Sequence, residues 1–194
     1  MKFINSRFEL KYLLTHKQYY NFKAALLLYT KKDKFTFNSP NGKYFVKSLY
    51  YDNHNFLCFN NKLEGEQSRV KVRIRCYEKN KNDNKFVSIE LKRRFGDLIK
   101  KDSSRVSLND YEFYLNNGYW KYYNSVINEF IRINAKYCFS PITTIEYFRE
   151  VYEDKTSPNV RICFDHNMKS SQSSDLFSRK LNTYEIDKEK IVLE

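Results

Sequence analysis

The sequence predicts an α+β fold: an antiparallel β-barrel with helices packed against its outside. Three observations predict it. The stretch SRVKVRIRCY (68–77) puts Arg69, Lys71, Arg73 and Arg75 at every second position, with Val70, Val72 and Ile74 between them. Successive strand side chains point to opposite faces, so one face is cationic and the other apolar. Several further stretches repeat this split of ionic and apolar faces. Helical spacing appears only after the first strand and in the middle of the chain.

The elements follow in order. INSRFELKYLL (4–14) alternates Arg7, Glu9 and Lys11 with Phe8, Leu10 and Tyr12 and reads as a strand. Thr15 caps a helix through 32, with Tyr19, Phe22, Leu26 and Tyr29 at helical spacing. SPNGK (39–43) is a turn, and KYFVKSLYYDN (43–53) a strand. An irregular or helical piece, 54–67, leads into 68–77. NKNDNK (80–85) is a hairpin loop. FVSIELKRR (86–94) is a strand with Glu90 and Lys92 on one face and Val87, Ile89 and Leu91 on the other. A turn at Gly96-Asp97 precedes a basic strand with Lys101 and Arg105. Residues 109–139 change period: Tyr123, Ile127, Phe130 and Ile131 line one face of an amphipathic helix over 121–137, and Pro141 ends that region. Strands TTIEYFREVYE, NVRICFDH and KIVLE complete the chain.

An ordinary half-buried sheet also turns apolar residues in and charges out. It explains poorly why so many strands carry cations, because like charges side by side repel. A barrel with a wet, polar lumen converges those cations on a bound polyanion and packs its apolar faces against helices.

Composition agrees with one domain, 1–194: 41% of residues are hydrophobic, enough for a core, and only 4 Gly and 3 Pro occur. The net charge of +12 attracts polyanions. Val and Ile interleave with the basic residues where a nucleic-acid binder would interleave aromatics, so no nucleic-acid partner is expected. The 4 Cys and 3 His do not space as zinc ligands. No signal peptide and no apolar run of about 20 residues is seen, so the expected location is cytoplasmic, with any membrane partner supplied by another chain.

Converging Arg and Lys neutralise phosphate oxygens. Glu9, Glu90 and Glu194 are candidates to hold a divalent ion through oxygen. Together these are parts of phosphoryl transfer. No GxxxxGK[ST] loop occurs, so side chains must hold the phosphates. Glu90 has a second reading, as the salt-bridge partner that orients a lumen arginine.

RFELKY, SLYYDN, RVKVRIRCY, VSIELKRR, IEYFRE, VRICFDH and IVLE occur in this order. That succession resembles the VTC domain, the polyphosphate polymerase domain of the vacuolar transporter chaperone family, within the triphosphate tunnel metalloenzymes (CYTH-like superfamily). The resemblance implies a barrel that binds ATP and a growing inorganic polyphosphate chain and transfers the γ-phosphate of ATP to that chain with Mn2+ or Mg2+. By matched motif it implies phosphate contacts at Lys11, Arg73, Arg75, Lys92, Lys101, Arg149 and Arg161; Lys71 and Arg69 share the same face by strand period and are auxiliary phosphate contacts. It implies catalytic roles for Arg73, Arg75, Lys92, Tyr147 and Arg149, and metal ligation by Glu194, with Glu9 the second candidate ligand from its carboxylate alone. In KKDSSR, Lys100 and Arg105 compete with Lys101. Hydrolytic tunnel relatives carry ExExK on the first strand, whereas this chain reads Arg7-Phe8-Glu9-Leu10-Lys11. Loss of that acid favours transfer over hydrolysis. The family continues past the final glutamate with a lysine and a helix, so the last strand and C-terminal helix are expected to be truncated. That truncation keeps open a non-catalytic module that binds polyphosphate, nucleotide or inositol phosphate. A tunnel triphosphatase is a further alternative.

Overall fold

A computed structural model describes residues 6–157, 160–178 and 182–194. Residues 4 and 5 of the first expected strand, and Asn159 of NVRICFDH, lie outside them. The chain runs β1 (Ser6–Arg7), β2 (Tyr12–Thr15), α1 (His16–Leu26), β3 (Thr30–Lys32), α2 (Lys34–Asn38) and β4 (Tyr44–Asp52). It continues α3 (Leu57–Leu63), β5 (Ser68–Cys76), β6 (Phe86–Phe95), β7 (Leu98–Ser107), α4 (Leu108–Asn117) and α5 (Ser125–Tyr137). It ends β8 (Ser140–Asp154), β9 (Arg161–Gln172), β10 (Tyr184–Glu185) and β11 (Lys190–Leu193). The class is α+β with antiparallel strands, as the alternation predicts.

Contacts divide the chain into two units. The first is Met1–Glu9, Lys47–Ile145 and Ser171–Asn182; the second is Leu10–Val46, Glu146–Ser170 and Thr183–Glu194. In the first unit the strand order is β1-β7-β6-β5-β4. In the second it is β8-β9-β11-β2, with β3 on β8 and β10 on β9. Neither ladder closes on itself among the described residues.

The first unit is built around the apolar faces that alternation predicts. Leu49, Val72, Ile74, Val87, Ile89 and Leu91 are fully buried against Tyr111, Trp120, Ile127, Phe130 and Ile133 of the helical region. Truncating one such aliphatic side chain to Ala costs about 2–5 kcal/mol. The hairpin between β6 and β7 turns at Gly96-Asp97, and Gly96 takes φ +56, the first central position of a two-residue turn that favours Gly. α5 begins later than the periodicity suggests. Asn124 caps it, accepting from the Val126 and Ile127 amides at 3.0 Å. Tyr123 therefore precedes the helix, and Ile133 takes the buried place expected of Ile131. α4 is a separate helix, capped by the Ser107 hydroxyl. α5 stops at Tyr137, before Pro141, which lies at the start of β8.

The second unit corrects two further expectations. The first strand is interrupted: β1 pairs with β7, and β2 pairs with β11, leaving Phe8–Lys11 unladdered. The helix after Thr15 stops at Leu26. Its start is a capping box, in which the Gln18 amide donates to Thr15 Oγ1 at 3.3 Å and the Thr15 amide to Gln18 Oε1 at 2.8 Å. Beyond Leu26, a β-branched residue and two lysines find a better partner in β8. Thr30, Lys31 and Lys32 lie opposite Asp154, Glu153 and Tyr152, so opposite charges face across the ladder. Asp33 then caps α2, accepting from the Thr36 amide at 2.7 Å. The core here is Tyr19, Leu26, Tyr152, Phe164 and Ile191. A buried carboxylate fastens α1 to β8: Glu150 accepts from Tyr19 Oη at 2.7 Å, Tyr152 Oη at 2.6 Å and Lys23 Nζ at 2.5 Å. No helix among the described residues is long and apolar enough to cross a membrane.

Candidate functional site

Register assembles the first cluster. Pairing of β4, β5, β6 and β7 puts Ser48, Arg75, Ser88 and Arg105 in one row. Tyr50, Arg73, Glu90 and Ser103 form the next row, and Lys71, Lys92 and Lys101 the third. All lie on the face opposite the core. Glu90 is the hub, 1% exposed. Arg73 donates to it from Nε at 2.7 Å and lies at 2.6 Å through Nη2. Lys101 Nζ lies 2.6 Å from its other oxygen, and Arg75 Nη1 3.8 Å away. Arg75 Nε also donates to Ser48 Oγ at 2.9 Å, and Arg73 Nη1 to Tyr50 Oη at 2.9 Å. Arg105 lies over the Phe86 ring and Lys100 beside Asp102, so of the three competing cations only Lys101 reaches the hub.

Three cations around one carboxylate leave an excess of positive charge, which shifts the neighbouring groups. Burial pushes the Glu90 carboxyl up, but Arg73, Arg75 and Lys101 outweigh it and hold the group at about 2. Burial also pushes the Tyr50 phenol up, yet Arg73 and Arg75 bring it down to about 8. Burial pulls Lys101 down, and the neighbouring arginines add to that against the pull of Glu90. Glu9 sits at the edge of this unit, bound by Arg7 at 2.8 Å and by Lys92.

The second cluster lies in the second unit. Arg149 grips Asp165 with Nε at 2.6 Å and Nη2 at 2.7 Å, and Nη2 also donates to Glu194 Oε2 at 3.2 Å. Lys11 Nζ lies 2.8 Å from the same Glu194 oxygen. Glu194 is fixed by backbone bonds in both directions with Cys163, at 2.8 and 2.9 Å. The Arg149 guanidinium is 5.2 Å from the Tyr147 ring centre. Burial alone would pull Arg149 down, but the Asp165 hydrogen bonds hold it well above its usual value. Arg161 reaches Asp33 at 3.3 Å.

The expected site residues thus fall into two sets. Lys71, Arg73, Arg75, Lys92, Lys101 and Glu9 are in the first unit; Lys11, Tyr147, Arg149, Arg161 and Glu194 are in the second. Glu90 is bound by arginine and lysine, the second role read for it. Alternation alone did not select Tyr50 or Asp165. Both carry a signal: Tyr50 is two residues from Ser48, and Asp165 two from Cys163 and four from Arg161, each on one strand face.

Among the described residues no group of three or more His, Cys, Asp or Glu could cage a metal ion. Asp165 and Glu194 instead meet at one guanidinium. That pair fits a hard divalent cation of the Mg2+ or Mn2+ type, which takes one or two carboxylates together with phosphate oxygens. Glu9, like Glu194, is held by two cations, here Arg7 and Lys92. A pocket of about 410 Å3 lies at the end of the β5–β6–β7 hairpins, lined by Leu57, Val70, Phe95 and Tyr137 with Arg93 and Arg94. Arg93 and Arg94 are engaged by Asp97, Asp102 and Glu129, which sets the pocket apart from the Glu90 hub.

The VTC domain family matches residues 6–194. Among solved structures, that of a candidate adenylate cyclase from Bacillus halodurans is similar with a TM-score of 0.51 at 11% identity, covering 98% of this chain and 82% of that one. The likeness is one of fold, the antiparallel fold of the triphosphate tunnel proteins. A candidate adenylyl cyclase from Hippeastrum, for which a dominant triphosphatase activity is reported, has a TM-score of 0.44 at 12% identity, covering 94% and 76%. No curated sequence relative matches the chain.

Proposed function

The chain belongs to the VTC domain family, and on that premise we propose that it is a polyphosphate polymerase domain, transferring the γ-phosphate of ATP to the end of an inorganic polyphosphate chain. The observation that carries the reading is the Glu90 hub. Its cations are held at fixed spacing by a buried carboxylate, so they meet phosphate oxygens without first being gathered. Arg73 and Arg75 carry the charge of the transferring phosphoryl group, and Lys71, Lys92 and Lys101 hold the flanking phosphates. In the second unit Arg149, packed on Tyr147, and Lys11 and Arg161 orient phosphate oxygens. Glu194, with Asp165, would hold a Mn2+ or Mg2+ ion, which supplies charge neutralisation of bridging phosphate oxygens. The attacking group is a terminal phosphate oxygen, already ionised at neutral pH, so no protein base or covalent protein nucleophile is required.

One observation favours transfer over hydrolysis. Glu9, the remaining acid of the first-strand motif, is bound between Arg7 and Lys92, so it is drawn away from the metal-holding role that the acids of that motif would have in hydrolysis. The experiment is incubation with ATP and Mn2+, with products resolved on a gel. A ladder of polyphosphate that Arg75→Ala abolishes is expected. Release of orthophosphate with no ladder would identify a triphosphatase instead. Tight polyphosphate binding without turnover would identify a binding module.

A further inference from the structure

Phe35 lies on the helix capped by Asp33, the carboxylate that Arg161 reaches at 3.3 Å. It belongs to α2 and is 61% exposed, so it contributes little to the core. Its ring centre lies 6.0 Å from that of Tyr44, inclined at 58°. Tyr44 is half-buried: burial pushes its phenol up, while the charges of Arg149 and Arg161 pull the other way. Arg161 in turn is tied to α2 through Asp33, which caps that helix two residues before Phe35. A bare, solvent-facing ring is therefore fixed to the element that the arginine holds. Opposite requirements meet there: cations for phosphates and a flat apolar surface for something that is not phosphate.

We propose that Phe35, backed by Tyr44, is the stacking platform for the base of a nucleoside triphosphate, and that it lets this unit prefer nucleotide over bare phosphate chain. The inference rests on the reading that Lys11, Arg149 and Arg161 bind phosphates. An aromatic face accepts any base, so selection is for the presence of a base, with purines favoured by their larger surface.

The test compares dissociation constants for the β,γ-imido analogue of ATP and for tripolyphosphate, which has no base. Phe35→Ala is expected to weaken the nucleotide about tenfold, within the range of base-on-aromatic stacking, and to leave tripolyphosphate unchanged. Phe35→Trp restores the nucleotide. Phe37→Ala, at a more exposed aromatic of the same helix (75%), changes neither. If Phe35→Ala leaves both constants unchanged, or weakens both equally, the platform is overturned and the phosphate-binding reading stands. If neither ligand binds the unaltered protein, the phosphate-binding reading falls and the platform with it.

Discussion

The Glu90 cluster and the Arg149 cluster are made from the same residue types and reach different charge states. Around Glu90, Arg73, Arg75 and Lys101 meet a single carboxylate. Around Arg149, three cations (Lys11, Arg149, Arg161) meet three carboxylates (Glu194, Asp165, Asp33). In the first, three cations are gathered by one buried acid against their mutual repulsion. The second is balanced, with Asp165 and Glu194 both on the one guanidinium of Arg149. Alternation along a strand predicts cations on a face; it does not predict how many of them are neutralised. That number separates a surface ready for polyanions from one where carboxylates and cations share the work.

The comparison breaks most severely if the excess charge is removed. Arg73→Ala is expected to lower the rate of ATP-dependent polyphosphate synthesis by about 10²–10³-fold, the usual effect of deleting one preorganised donor. Arg73→Lys should recover little of it, because a single ammonium cannot bridge Glu90 and Tyr50 as the guanidinium does. A loss under tenfold for Arg73→Ala would show that the hub is not where charge develops. A smaller effect, of opposite sign, is expected in the balanced cluster. Asp165→Asn frees one side of Arg149, so tripolyphosphate affinity without divalent metal should rise about threefold to tenfold. The same change should lower thermal stability, since it strips charge from a pair buried on both sides. Unchanged affinity would mean that Arg149 does not bind phosphate and serves only to hold β8 on β9.

How far the site was legible follows from the range of the interactions. The cationic face of β5 and the apolar faces of β5 and β6 are set by period two within one strand, and both were readable. Glu90 as a salt-bridge partner was also readable, because it alternates with Lys92. Tyr50 was not, because its role depends on the β4–β5 register that puts it opposite Arg73. Asp165 was hidden likewise: its partner Arg149 is on the neighbouring strand, 16 residues away. The early end of α1 was missed because a run of helical spacing, Tyr19 to Tyr29, continues past Leu26. Pairing of Thr30–Lys32 with the acidic end of β8 overrides it. The break at Phe8–Lys11 has the same origin, since the two halves of that segment join different ladders.

An expected effect of the same size as that of Asp165→Asn separates the clusters by pH. Tyr50 faces Arg73, which donates to its oxygen, with Arg75 and Lys71 also acting on it and Glu90 bound to the same arginine. At pH 7 the phenol is neutral. As pH rises through about 8 it ionises and cancels one positive charge of the hub. Polyphosphate affinity should therefore fall by about threefold to tenfold between pH 7 and pH 9, a Coulomb effect of one charge at partly screened distance. Stability moves the other way. The folded value lies below the ordinary phenol value of about 10, so the anion stabilises the fold. That gain is complete above about pH 10 and lost as pH falls through about 8. Tripolyphosphate titrations and thermal melts across this range should show both trends, and Tyr50→Phe should flatten both. Melting temperature rising with pH while affinity stays level would place the phosphates away from Tyr50 and Arg73. An affinity loss that survives Tyr50→Phe would assign the titration to another group.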